Sequence, residues 1–239
     1  MKLLAVETST ERCSVALLLG DKIVVNETLA GQRHSELLLD MVEELLQAHN
    51  VRIRDIDAFA FGAGPGSFTG LRIACGVVQG MAFGAHKKVV GISSLLALAD
   101  AAAQTSGANR VIAALDARMG ETYFAAFEIV GGFWQTLIEP CVVDRTSLPR
   151  VDGGGWCAVG SGFDAHGYLA DQYRTQLGQF LTGQLPSARE IARLGAAEFA
   201  AGRAIDPQFA APLYVRNKVA MTAAERAEHR ASQAALVKT

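Results

Sequence analysis

One arrangement occurs twice along this 239-residue chain and restricts its fold more than any other feature. Apolar, strand-like runs at residues 3–6, 13–19 and 22–29 follow one another with short turns between them, Gly20-Asp21 being the tightest. Three such runs in succession make an antiparallel meander. The same strand–turn–strand–turn–strand order returns at residues 111–115, 122–130 and 133–138, a shift of about 109 residues. That shift brings Asp116 close to Glu7 and lays residues 116–121 over residues 7–12. An internal duplication is the reading that follows.

After each meander the periodicity changes. Leu38, Met41, Val42, Leu45 and Leu46 recur at threes and fours, which predicts a helix over residues 35–49; Leu37 and Leu39 widen its apolar face, and Asn50 is its stop. A short strand at 57–61, a glycine-rich loop at 62–67, a helix to about Ala85, a strand at 89–92 and a helix at 93–104, capped by Ser93 or Ser94, complete the first unit. The loop at 105–109 reads as a boundary. The second unit continues with a strand at 157–159, a Gly160-Ser161-Gly162 turn and a helix from Ser187, bracketed by an S-x-x-E box to Glu190 and by Gly202. Two successive units of this kind predict an α/β protein of two similar domains, residues 1–106 and 107–218, with a cleft between them. Residues 219–239 are Ala-rich, open with a capping box from Thr222 to Glu225 and have little to bury, so a solvated helix or disorder is expected there.

Composition narrows the function classes. Half the residues are apolar and 19% are charged, and 22 Lys+Arg against 24 Asp+Glu leave a net charge of -2. A globular protein with no strong basic field of its own is implied, so RNA would be met only through a complex. Cys13, Cys75, Cys141 and Cys157 form no C-x-x-C pair and read as buried thiols of a reducing compartment. The four-residue apolar run before Glu7 is too short for a signal sequence, and nowhere do 18 uncharged apolar residues follow one another. The expectation is a cytoplasmic protein without a membrane segment.

Several residue groups bear on chemistry. Glu7 followed by Thr8, Ser9 and Thr10, at the end of a first strand, suits either a Mg2+ and phosphate seat or a polar turn, because a hard cation needs oxygen ligands and turns favour the same residues. Asp116 is open to the same two readings, and Arg118 occupies a turn where close phosphate approach would favour glycine. Gly62, Gly64, Gly66 and Gly70 surround Pro65, Ser67 and Thr69 at a helix start; no Lys follows and no G-x-G-x-x-G is written, so a tight turn is preferred to a phosphate loop. Gly76, Gly80 and Gly84 share one face of the next helix at a combined cost of roughly 1.5 to 3 kcal/mol relative to Ala. A bare glycine ridge lets another backbone approach closely, and the partner is either internal or a second chain. His34, His49, His86, His166 and His229 are scattered with no H-x-x-x-H or H-E-x-x-H spacing, and no G-x-S-x-G elbow occurs, so neither a metal site nor a peptidase nucleophile is written here.

Leu4-Ala5-Val6-Glu7-Thr8-Ser9-Thr10, Gly64-Pro65-Gly66-Ser67-Phe68-Thr69-Gly70-Leu71-Arg72, Asp116-Ala117-Arg118-Met119-Gly120-Glu121 and Tyr214-Val215-Arg216-Asn217 together resemble the bacterial TsaB family, also called YeaZ, from residue 1 to about 220. The resemblance implies two RNase H-like domains in an actin-like, Hsp70-like ATPase superfold, arisen by tandem duplication. It implies a non-catalytic dimerisation or scaffold subunit, without cofactor, of the complex that installs threonylcarbamoyl on N6 of adenosine 37 in tRNA. Its partners would be the homologous catalytic subunit TsaD and the ATPase TsaE, with a homodimer in isolation. The partner contact would fall on Leu38, Met41, Leu45, Arg72, Gly76, Gly80 and Gly84, and any nucleotide contact on Glu7, Thr8, Asp116, Gly160 and Gly162. Glu7 stands where relatives usually have Asp, and Ala63 where many have Arg. An autonomous Mg-dependent ATPase or small-molecule kinase of the same superfold is the alternative.

Overall fold

The computed structural model describes residues 1–216, so the expectations for 219–239 and for Asn217 lie outside the described residues. The first half runs β1 (Lys2–Glu7), β2 (Arg12–Leu19), β3 (Lys22–Leu29), α1 (His34–Ala48), β4 (Ala58–Gly64), α2 (Phe68–Ala85), β5 (Lys88–Ser93) and α3 (Ser94–Ser106). The second runs β6 (Arg110–Arg118), β7 (Glu121–Val130), β8 (Phe133–Val143), β9 (Trp156–Val159), α4 (Ser161–Ala165), α5 (Gly167–Gln172), β10 (Leu177–Leu181) and α6 (Ala188–Ala200). The sheets are ordered β3-β2-β1-β4-β5 and β10-β9-β6-β7-β8, the same order read in opposite directions. In both, a meander is extended by two parallel strands; Leu3 pairs with Ala58 in one and Val111 with Cys157 in the other. These are two RNase H-like sheets, and their common order is the duplication in three dimensions.

Central strands buried on both faces have no polar side to show, which is why β1 reads as a continuous apolar run. Leu4 and Val6 face one core with Val15, Leu17, Phe59 and Phe61, covered by α1 and α2. Leu3 and Ala5 face the other with the small residues Ala16, Ala58 and Ala60. That flat face lets α6 come close: a Cβ on Gly195 would stand 2.8 Å from the Ala60 Cβ. α2 is long and apolar enough to cross a bilayer, but its Leu71, Ala74, Cys75, Val78 and Ala82 belong to the core.

Packing does not follow chain order. α3 places Leu95, Leu98, Ala99 and Ala102 on the second sheet against Val111, Ala113 and Val159, while α6 brings Ala188, Ile191 and Ala192 back to the first. Residues 205–213 return to the first half: Val89 and Ile205 exchange backbone hydrogen bonds of 2.9 Å, and the Leu213 amide donates to the Ala63 carbonyl at 2.7 Å. A division at 106/107 therefore cuts across the cores. The S-x-x-E box at the start of α6 is also only half present. Ser187 accepts from the Arg189 amide, whereas Glu190 turns into the interior beside Arg193 and Asp100.

Candidate functional site

Glu7 ends β1 at the point where β4 and the start of α3 close over it. The side chain has no exposed surface, and a Cβ on Gly62 would lie 1.9 Å from Glu7 Oε2. The Ser9 amide donates to its Oε1 at 2.5 Å and the Ser94 hydroxyl to its Oε2 at 2.8 Å. Burial pushes the carboxyl above the ordinary carboxylate range, and these hydrogen bonds only partly counter it. Glu7 is thus sealed into the floor of the sheet, which corrects its reading as a carboxylate offered to a metal. Thr8 is likewise buried, its hydroxyl donating to the Gly70 carbonyl at 2.8 Å. It ties the first hairpin to the start of α2 and faces no open space.

The same hairpin explains the glycine-rich loop. A Cβ on Gly66 would meet the Ser9 carbonyl oxygen at 2.5 Å, and one on Gly70 the Thr8 carbonyl oxygen at 2.0 Å. Backbone approaches backbone here, and any side chain would part them. In the second half Gly160, with φ of 105°, would place a Cβ 2.3 Å from the Ala114 carbonyl oxygen, and Gly162 one 2.7 Å from Thr122 Cγ2. Both are buried packing positions, which corrects their reading as nucleotide contacts.

What is open is a cleft of about 910 Å³ between the halves, walled by Thr10, Phe68, Thr69, Asp116, Arg118, Tyr123, Tyr214 and Arg216 among others. Of the nucleotide candidates only Asp116 reaches it. Its carboxylate accepts from the Arg118 amide at 2.9 Å and lies 3.3 Å from both the Arg118 guanidinium and His166 Nε2. Among the described residues no group of three His, Cys, Asp or Glu side chains is placed to hold a metal. Arg216, which periodicity could not have found, donates to the Ala117 carbonyl at 2.9 Å and pairs with Glu121, so the C-terminal segment crosses from one half to the other.

The outer face of α1 and α2 is a second surface. Gly76, Gly80 and Gly84 are exposed, and a Cβ at any of them would meet nothing within 4 Å. The ridge is not covered by this chain's described residues. Phe83 beside it is 72% exposed, and Leu39 on α1 is 56% exposed. Leu38, Met41 and Leu45, expected in the same contact, are instead buried in the first core, where α1 lies on β2. That corrects their assignment: the wide apolar face of α1 is mostly its inward face. Arg72 is exposed, and its Nε donates to the Tyr214 hydroxyl at 2.9 Å.

Comparison with known proteins agrees with this architecture. A family model described as TsaD, tRNA N6-adenosine threonylcarbamoyltransferase, matches residues 23–156. The chain is 36% identical over 228 residues to the tRNA threonylcarbamoyladenosine biosynthesis protein TsaB of Escherichia coli (strain K12), covering 92% of this chain and 96% of that protein. It is 37% identical over 234 residues to the protein of the same name from Haemophilus influenzae, covering 92% and 95%. The solved structure of YeaZ from Pseudomonas aeruginosa superposes with a TM-score of 0.79 at 35% identity, over 89% of this chain and 99% of that one. A second solved protein, described as similar to peptidase YEAZ from Pseudomonas aeruginosa, gives 0.84 at 36% identity, over 90% and 99%.

Proposed function

The chain belongs to the TsaB (YeaZ) family of tRNA threonylcarbamoyladenosine biosynthesis proteins, and from that premise we propose that it is a non-catalytic scaffold subunit binding the homologous catalytic protein TsaD. In this reading TsaE is the ATPase of the same complex, and tRNA adenosine 37 is the site of modification. The observation that carries it is the exposed ridge Gly76, Gly80 and Gly84 on α2, bordered by Phe83. A helix that keeps three interior glycines with open space before them suits a partner helix at close range, because a Cβ there would hold the two backbones apart. The sealed carboxylate of Glu7 supports a non-catalytic role, since it withdraws one of the two groups an autonomous Mg-dependent ATPase or kinase of this superfold would use.

The test is light-scattering mass with and without equimolar TsaD. A homodimer that converts to a heterodimer on mixing is the expected result, since one apolar surface would serve both assemblies. Gly80→Leu should keep the circular dichroism and melting of a folded chain and lose the heterodimer. A mass unchanged by mixing sinks the proposal, and an unfolded Gly80→Leu would assign the ridge to an internal contact.

A further inference from the structure

Phe68, Gly76, Gly80 and Gly84 extend along one row of α2 through Arg72, each four residues from the next, and the chemistry of that row changes along its length. Its C-terminal part carries no side chains. Its N-terminal part, at the mouth of the cleft, carries an aromatic ring and a cation. The Arg72 guanidinium carbon lies 3.7 Å from the centre of the Phe68 ring and 5.9 Å from that of Tyr214. The two rings are 5.5 Å apart at 38°, and the Tyr214 hydroxyl accepts from Arg72 Nε. Phe68 and Tyr214 are nonetheless 36% and 46% exposed. Three planar groups thus brace one another while keeping surface open to water, which lowers the entropy cost of receiving a flat ligand.

The cleft rim adds a second feature. Arg118 is 84% exposed at its side chain and sits at φ of 64°, followed by Met119 at 58°. Two consecutive non-glycine residues in the left-handed region cost about 1–2 kcal/mol each, a strain retained where the surroundings need that turn. The turn holds a cation at the rim of the cleft that Phe68 and Tyr214 line. Aromatic rings braced by a guanidinium, with a further cation on the wall of the same cleft, held 3.3 Å from Asp116 and otherwise open to water, suit an unstacked base and its phosphate, the elements by which single-stranded RNA is held.

We propose that Phe68, Arg72 and Tyr214 form a stacking seat for one unpaired base of the tRNA, and that Arg118 takes a phosphate of the same strand. The inference rests on the reading that the chain works in tRNA modification, and it gives the scaffold an RNA contact of its own inside the complex. A bare glycine ridge and an aromatic–cation cluster on one row then serve two different occupants, protein and RNA.

The test measures binding of labelled tRNA to the assembled complex of this chain with TsaD, alongside the light-scattering mass and melting of each variant. Phe68→Ala and Tyr214→Ala are expected to weaken tRNA binding between about fivefold and about a hundredfold, the range for losing one stacked base, with the heterodimer mass unchanged. Tyr214→Phe keeps the ring and should bind within about twofold of wild type. Arg118→Ala should lower the salt dependence by about one phosphate contact. Unchanged tRNA affinity in both alanine variants overturns the proposal, and so does loss of the heterodimer in them, which would assign the cluster to the protein contact. Failure of the wild-type chain to form the heterodimer, or of the wild-type complex to bind tRNA, is read in a separate arm and removes the functional reading on which this inference stands.

Discussion

Glu7 holds a carboxylate without exposed surface, and the Ser9 amide and Ser94 hydroxyl do not fully replace the water it gave up. Its folded pKa therefore lies above its unfolded one, so the native state binds this proton more tightly than the unfolded chain does. Stability then falls as pH rises from the ordinary carboxyl range through the raised folded value, and the penalty is complete above it. Glu7→Gln has nearly the same shape and no charge to bury. Urea midpoints of wild type and Glu7→Gln, measured from about pH 4 to about pH 8, should diverge in favour of the variant as pH rises, by at most about 1.4 kcal/mol per pH unit. Parallel curves would exclude Glu7 as the titrating group. Asp116, the other carboxylate of the duplicated pair, stays at the cleft beside Arg118 and His166, so the two copies have parted at this position.

At the scale of the element, α2 shows an inward and an outward face with opposite logic. Leu71, Ala74, Cys75, Val78 and Ala82 are packed, whereas Gly76, Gly80 and Gly84 look onto open space. Gly80→Ala should raise the stability of the monomeric chain, diluted until light scattering shows no homodimer, by about 0.5–1 kcal/mol, because a Cβ there restricts the unfolded backbone and meets no described residue in the folded one. Thermal or urea unfolding checks it. A loss of stability in the monomer would place a neighbour from the same chain on that face, whereas a loss seen only at concentrations that give the homodimer would place a second copy there. The helix starts were legible because Ser67 and Ser93 do cap: Ser67 Oγ accepts from the Gly70 amide and Ser93 Oγ from the Leu96 amide. The elements missed were α4, α5 and β10. Two of these are too short for a 3.6-residue period to appear, and the third is an edge strand whose central residues are exposed.

Across the whole molecule, α3 and α6 exchange sheets, and one carboxylate fastens the exchange. Asp100 on α3 accepts from Trp134 Nε1 of β8 at 3.1 Å and pairs with Arg193 of α6. Asp100→Ala should cost at most about 3 kcal/mol, the low end for breaking a buried pair because Arg193 keeps contact with water, and should shift Trp134 emission. Unchanged emission and stability would show that the pair contributes nothing to the fold. The exchange also predicts that a fragment ending at Ser106 does not fold alone. It lacks α6, leaving Leu3, Ala5, Ala16 and Ile92 uncovered, while Leu95 and Leu98 of its own α3 have no second sheet to meet. Circular dichroism should show a loosely structured fragment that gains native structure when the remainder of the chain is added; a cooperative melt of the fragment by itself would refute this.

Sequence alone determined the two meanders, the helices α1, α2 and α3, the twofold repetition and, through its motifs, the family, because apolar period, turn residues and caps act within a few positions of one another. It also singled out the glycines of α2 as needing an explanation. Only the tertiary structure decided which side of each element faces inward, which carboxylate is sealed and which sheet each helix covers. An apolar stripe such as Leu38, Met41 and Leu45 has the same pattern whether it meets its own sheet or a partner. A polar run such as Glu7 to Thr10 has the same letters whether it meets water or the start of α3. The contact between Asp100 and Arg193 joins residues far apart in the chain, and no local period records it.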